Sequence, residues 1–264
     1  MSGESALWYS SLDGLSLFAR RFGTGSRRAP LLCLHDVAST SRALVPFAQE
    51  ISVSRKVLVP DLRGHGRSDY PFDLASYSLE MLAEDAKQLL EVEEIDHAVV
   101  LGSGLGGVVA LQLAALIPRA VAAIILCECD PILAPQLAVE TALRAELAAS
   151  LGSWTQAEAA LPGARGVLRD ENGRPQPDWD PVAASCIALS LTATNMTALL
   201  ETTRGKAVLA LSAVSGHASR QACDAMVLSN SSIKCVNIPG ISDARALDRT
   251  EIVKPIKAFL ASLA

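Results

Sequence analysis

The segment HAVVLGSGLGGVVALQL, residues 97–113, decides how the chain is read. Residues 98–101 form a short apolar run with the character of a buried strand. Four glycines crowd into 102–107, and an apolar, alanine-rich stretch with the character of a helix follows. Strand, sharp turn and helix in direct succession form the setting in which α/β proteins present either a nucleophile or a cradle for phosphate.

Working outward, strands and helices alternate on both sides. Residues 7–10 and 15–20 flank Asp13-Gly14, a hairpin signal. Residues 30–35 predict a buried strand, and the Ser and Thr residues of 36–41 offer caps for a helix over 42–51. A strand at 56–60 runs into Asp61-Leu-Arg-Gly-His-Gly-Arg-Ser-Asp69, a loop by its glycines, and 78–91 has helical spacing. The helix after the central turn ends near Pro118, and 120–126 predicts another strand. The rhythm then breaks. Residues 134–151 and 182–203 predict helix around a polar loop, 170–181, that holds three prolines. It resumes with strands at 207–211 and 233–238 and helices at 219–228 and 250–263. Such alternation implies an α/β architecture, a mostly parallel sheet covered by helices on both faces. Residues 1–131 and 205–264 then form the core, and 132–204 an inserted helical lid over the carboxyl ends of the strands, where open α/β sheets keep their sites.

Composition narrows the function classes. The chain has 264 residues, half of them hydrophobic, enough for one large domain with an insertion or two small ones. No run reaches the ~18–20 apolar residues of a membrane span, and the first residues lack the pattern of a secretory signal. A net charge of −5 without a basic face argues against a nucleic-acid partner. Six scattered cysteines fit reduced, packed thiols and a cytoplasmic setting. Cys127-Glu-Cys129 lacks metal-ligand spacing, so neither a metal nor another cofactor is expected.

Taken together, the pieces resemble the α/β-hydrolase superfamily over nearly the whole chain. Leu34-His35-Asp36 stands where that family has a His-Gly oxyanion loop. Asp61-Leu-Arg-Gly-His-Gly-Arg-Ser68 is similar to its Asp-x-Arg-Gly-x-Gly-x-Ser loop, Gly102 to Gly107 occupy the nucleophile elbow, and Ile238-Pro-Gly-Ile-Ser-Asp243 resembles the late loop carrying the catalytic histidine. The resemblance implies an eight-stranded sheet with an inserted lid, and it implies a degenerate triad. The nucleophile position falls on Gly104, the acid position on Gly216 and the histidine position on Asp243. Glycine has no side chain to attack a carbonyl, and aspartate does not relay a proton at neutral pH as imidazole does. Asp36 also puts a negative charge beside the oxyanion hole.

Several readings compete. The first is a non-hydrolytic sensor, carrier or partner subunit that binds a small apolar molecule, with Asp36, Val37, Ser103, Leu105, Glu128 and His217 as candidates for the lining of its cleft. The second is a cofactor-free lyase, isomerase or cyclase, or a divergent hydrolase, using Asp36, Asp243, His217 or Glu128. A third is a structural pseudoenzyme, a homodimer or the partner of an active homologue. A fourth takes Gly102, Gly104 and Gly107 as a dinucleotide fingerprint, with Glu128 and Asp130 after the next strand for a ribose. Ser103 lies one residue early for a nucleophile, while His35 and His65 are expected to hold their loops.

Overall fold

Three short runs, Leu31–Leu34, Val57–Pro60 and Ala98–Ser103, are buried at every position. Parallel strands covered on both faces have this continuous apolar character. The computed structural model describes residues 3–24, 26–37, 39–129, 167–169, 175–213, 220–239 and 247–263, together with Val139. In chain order the strands are β1 (Glu4–Ser10), β2 (Ser16–Phe22), β3 (Leu31–Leu34), β4 (Val57–Pro60), β5 (Ala98–Ser103), β6 (Val121–Cys127), β7 (Val167–Arg169), β8 (Pro175–Pro177), β9 (Ala207–Ala213) and β10 (Ile233–Ile238). The helices are α1 (Val45–Ile51), α2 (Leu79–Val92), α3 (Leu105–Leu116), α4 (Pro181–Ala193), α5 (Met196–Glu201), α6 (Arg220–Ser229) and α7 (Thr250–Ser262).

Eight strands form one sheet in the order β1-β2-β4-β3-β5-β6-β9-β10. The β1–β2 and β2–β4 pairs are antiparallel, and every pair from β4 onward is parallel. One apolar layer joins the sheet to α2, α3, α4 and α5, and a second joins the opposite face to α1 and α7. Helix α3 is apolar nearly all round, as a helix enclosed by its neighbours must be. The expected rhythm of strands and helices is therefore present on both sides of residues 97–113.

Three expectations need correction. Residues 42–51 are not one helix: a 3₁₀ turn, Ser41–Leu44, precedes α1, and Thr40 makes no side-chain cap. Asp61 takes over that role, its Oδ1 accepting from the Ser41 N–H at 2.6 Å. The polar stretch 170–181 includes β8, which pairs antiparallel with β7. The prolines are tolerated because a two-stranded ribbon is all edge. Residues 182–203 form two helices because the Asn195 side chain accepts from the Ala198 N–H at 3.0 Å and starts α5 afresh. The predicted helix over 134–151 lies outside the described residues save Val139.

The loop after β4 fixes the floor of the molecule. Arg63 is fully buried, and all five of its N–H donors are used. Its Nε and Nη2 bind the two Asp85 oxygens at 2.7 and 2.6 Å. Nη1 and Nη2 bind Asp13 at 2.9 and 3.2 Å, and Nη1 also reaches the Ser76 carbonyl at 2.9 Å. Burial pushes the Asp85 carboxyl up to about 6 against the pull of Arg63, whereas Asp13, more exposed, is held below the usual carboxylate range by Arg63 and Ser11. Removing one member of a buried ion pair leaves an uncompensated charge and costs about 3–5 kcal/mol. Arg63→Ala is expected to lose that much in urea-induced unfolding and Arg63→Lys, which cannot fork onto two carboxylates, to regain only part. Wild-type stability in Arg63→Ala would refute this account of the cluster.

Candidate ligand cleft at the end of the central strand

β5 passes into α3 through one residue, Gly104, at φ 52° and ψ −118°. That backbone region costs a residue with a Cβ about 1–3 kcal/mol, and glycine avoids the cost. The Gly104 N–H donates to the Cys127 carbonyl at 2.9 Å, which fixes the turn against the end of β6. The neighbouring glycines serve close packing. A Cβ on Gly102 would lie closer than 3.0 Å to the Gly106 backbone, and one on Gly106 equally close to the Leu34 backbone. They let α3 settle directly onto β3 and β5.

Gly104 is the N-cap residue of α3 and has no side chain to cap it. Asp36, after β3, performs the capping from across the sheet. Its Oδ1 accepts from the Leu105 N–H at 2.8 Å and from the Val37 N–H at 2.9 Å. Both bonds are charge-assisted, and the α3 N-terminus favours a carboxylate there. The carboxylate also fills the space a side chain at 104 would need, since a Cβ there would lie closer than 3.0 Å to all three carboxyl atoms. Asp36, Val37 and Leu105, three of the cleft candidates, thus meet beside Gly104.

The remaining candidates divide. Ser103, the last residue of β5, is buried. Glu128 is buried just beyond β6 at φ 49°, unusual for a residue with a side chain. Its N–H donates to the Leu211 carbonyl at 2.9 Å and its Oε1 accepts from the Ala213 N–H, so it ties β6 to the carboxyl end of β9. Asp130, Gly216, His217 and Asp243 lie outside the described residues. Cys127 and Cys129 are buried, as expected for packed cysteines. Among the described residues, no three His, Cys, Asp or Glu side chains gather to hold a metal.

Both loop histidines are structural. His35 accepts from the Leu62 N–H through Nε2 at 3.0 Å, so its proton is on Nδ1 and is donated to the Asp36 carbonyl at 2.7 Å. That bond steadies the residue that carries the carboxylate. His65 donates from Nδ1 to the Arg63 carbonyl at 2.9 Å, and its ring lies 5.2 Å from that of His35. Burial, aided by His35, pushes His65 down to about 3, and burial also lowers His35. Sequence reasoning missed what covers this loop. The Gly66 N–H donates to the Asp178 carbonyl and the Asp180 N–H to the Gly64 carbonyl, both at 2.7 Å, and Trp179 is buried against it.

Comparison with known proteins accounts for this geometry. The family model described as alpha/beta hydrolase fold matches residues 30–163, just over half of the chain. The chain belongs to the α/β-hydrolase fold family. Its structure superposes on that of an alpha/beta hydrolase from Novosphingobium aromaticivorans with a TM-score of 0.81 at 25% identity, covering 99% of each chain. It superposes on E-2-(acetamidomethylene)succinate hydrolase with a TM-score of 0.79 at 22% identity, covering 98% of this chain and 100% of that one. In sequence it is 32% identical over 109 residues to an uncharacterised protein of Mycobacterium tuberculosis, spanning 41% of this chain and 31% of that protein. It is 36% identical over 77 residues to 2-hydroxymuconate semialdehyde hydrolase of Pseudomonas sp., spanning 29% of this chain and 27% of that one. The chain thus spans less than a third of the length of these curated relatives.

In an α/β-hydrolase the residue at the strand-to-helix turn carries the nucleophile, and the N–H after it joins an N–H from the loop after β3 to form the oxyanion hole. In this chain the turn residue is Gly104, and the N–H of the next residue, Leu105, and that of Val37 after β3 both donate to Asp36. An acid where the family resemblance expects glycine, together with a helix lacking a side chain at its N-cap, was the sequence signal for this arrangement.

Two predictions follow from these contacts. Gly104→Ser is expected to lower stability by about 1–3 kcal/mol from backbone strain alone, and by more because its Cβ displaces Asp36. In an Asp36→Gly background that second part vanishes, so a double-mutant cycle is expected to give a coupling of roughly 0.5–3 kcal/mol, and strict additivity would count against the shared space. The histidines set an acid limb. Because His65 holds its proton only below about 3 when folded, against ~6.5 unfolded, the unfolded chain binds more protons between those values. Stability is thus fully present above pH ~6.5 and falls as pH drops toward 3, by up to about 1.4 kcal/mol per pH unit for this group. His65→Gln is expected to flatten the limb in denaturation midpoints measured from pH 7 to 4, whereas parallel profiles would contradict it.

Proposed function

We propose that this chain is a non-hydrolytic member of its family: it binds a small apolar molecule in the cleft above Gly104 and acts as a sensor, carrier or partner subunit. One observation carries the reading. At the turn where a nucleophile belongs there is Gly104, and the space beside it holds the Asp36 carboxylate. Loss of a serine nucleophile costs about 10⁶ in kcat. The sequence assignment of Gly216 and Asp243 to the acid and histidine positions points the same way. Residues 132–204 are read as the cap of the cleft. Supporting this, their described part docks on the core through Tyr77 Oη to Asp180 at 2.7 Å and through the Leu79 N–H to Ser190 Oγ at 2.9 Å.

Dinucleotide binding through Gly102, Gly104 and Gly107 is the weaker reading. The pyrophosphate of that motif rests on the helix N-terminus, and here a carboxylate is bonded to the Leu105 N–H. A lyase or isomerase using Asp36 or Glu128 remains the enzymatic alternative, and a bell-shaped pH–rate profile with any substrate would favour it. Among the described residues no helix is long and apolar enough to cross a membrane.

p-Nitrophenyl acetate separates these classes. The expected result is release of p-nitrophenol no faster than in a heat-denatured control and unaffected by a serine-directed phosphonate. Rapid turnover abolished by the phosphonate would end the non-hydrolytic reading. A thermal-shift screen with small apolar molecules is expected to raise Tm for the compounds that bind.

A further inference from the structure

We infer that Cys223 and Cys235 are a redox pair: a small disulfide such as glutathione disulfide oxidises them to a single bond, which fastens α6 to β10 at the margin of the sheet. The inference stands apart from the reading of the cleft. It begins with the topology. β10 is the last of the eight strands and pairs on one side only, with β9. Cys235 lies opposite Ala210 in that pair and Asn237 opposite Ser212, so Cys235 and Asn237 share a face of β10. Helix α6 packs on β10 and brings Cys223, near its start, to that face.

Hydrogen bonds join the four side chains. Ser212 donates its hydroxyl proton to Asn237 Oδ1. With that proton committed, the Ser212 oxygen faces the Cys223 sulfur, 3.9 Å away, as an acceptor. The Cys235 thiol donates to the Cys223 carbonyl at 3.6 Å. It also shares its proton with the Cys223 side chain, and that bond, followed by burial, holds the Cys235 thiol above its ordinary range. A sulfur that reaches both the carbonyl and the thiol of one residue is a side-chain rotation away from bonding to it. Cys33 and Cys127 belong to the apolar layer on the opposite face of the sheet and do not compete.

The chemistry balances in two exchanges. The thiolate of Cys235, the less buried of the two, attacks one sulfur of glutathione disulfide and releases one glutathione. The Cys223 thiolate then attacks the Cys235 sulfur, and the second glutathione leaves. Both thiol protons end on the two glutathiones, the chain gives up two electrons, and the reagent takes them. The product ties the edge strand covalently to the helix that covers it, where the reduced pair supplies hydrogen bonds alone. Edge elements open first, so oxidation tightens this margin of the fold.

The test exposes the folded full chain to glutathione disulfide, blocks the remaining thiols with N-ethylmaleimide in urea, and maps the tryptic peptides by mass. Trypsin cuts after Arg220, Lys234 and Arg245, so Cys223 falls in 221–234 and Cys235 in 235–245, and neither peptide holds another cysteine. The expected result is a dominant cross-linked pair of these two peptides, lost on adding dithiothreitol and absent from Cys235→Ser. Oxidised wild type is expected to melt several degrees above its reduced form, and the Tm of Cys235→Ser to stay constant under the same treatment. Complete alkylation of both peptides after prolonged exposure, a preferred linkage to any other cysteine, or an oxidised chain that melts below the reduced one would each overturn the proposal. Should Cys235→Ser not fold, the wild-type peptide map and its reversal by dithiothreitol decide alone.

Discussion

A single turn governs the rest of this molecule. The chain leaves the middle of the sheet and enters a buried helix through Gly104 alone. That reversal is possible only in a backbone region closed to most residues, and it brings the helix start to the carboxyl ends of β3, β5 and β6. Once α3 lies against the sheet at that angle, the glycines on either side have no room for a side chain, and the first amide of the helix points at the loop after β3. An amide so placed must find an acceptor or remain unpaired. Hydrolases reserve it for substrate oxygen. Here the protein supplies the acceptor.

Satisfying the amides internally changes what the site can be. A hydrolytic oxyanion hole gains its effect from donors waiting for charge that develops during the reaction. Donors already bonded to a full carboxylate have nothing in reserve. The same contact serves stability, since Asp36 caps a helix whose own N-cap residue carries no side chain. The capping of α3 and the proposed non-hydrolytic character therefore rest on the same hydrogen-bonded group.

Much of this was legible in the chain itself. The alternation of apolar runs with helical spacing located the strands of the main sheet, and the glycines of 102–107 marked the turn, because local backbone demands leave local traces. What escaped was set by distant partners. Thr40 looks like a helix cap, yet the Ser41 amide turns to Asp61, twenty positions on. Asp36 reads as a charge spoiling an oxyanion site, and only the fold shows its oxygen on Leu105, 69 positions away. Arg63 belongs to a recognisable loop, but nothing near it in sequence reveals Asp13 and Asp85 as its partners. The ribbon of β7 and β8 was hidden by prolines that normally argue against strands.

The buried guanidinium of Arg63 has one further consequence, for how the protein opens. A hairpin at the margin of a sheet is ordinarily the first part to fray, and its amides exchange with solvent independently of the interior. Asp13 lies in the turn between β1 and β2, and its bonds to Arg63 join that turn to the loop after β4 and, through Asp85, to α2. Peeling the hairpin away would strand a cation in the interior. Those bonds therefore tie the amino-terminal ribbon to the central layers, and opening one without the other carries the cost of an unpaired buried charge.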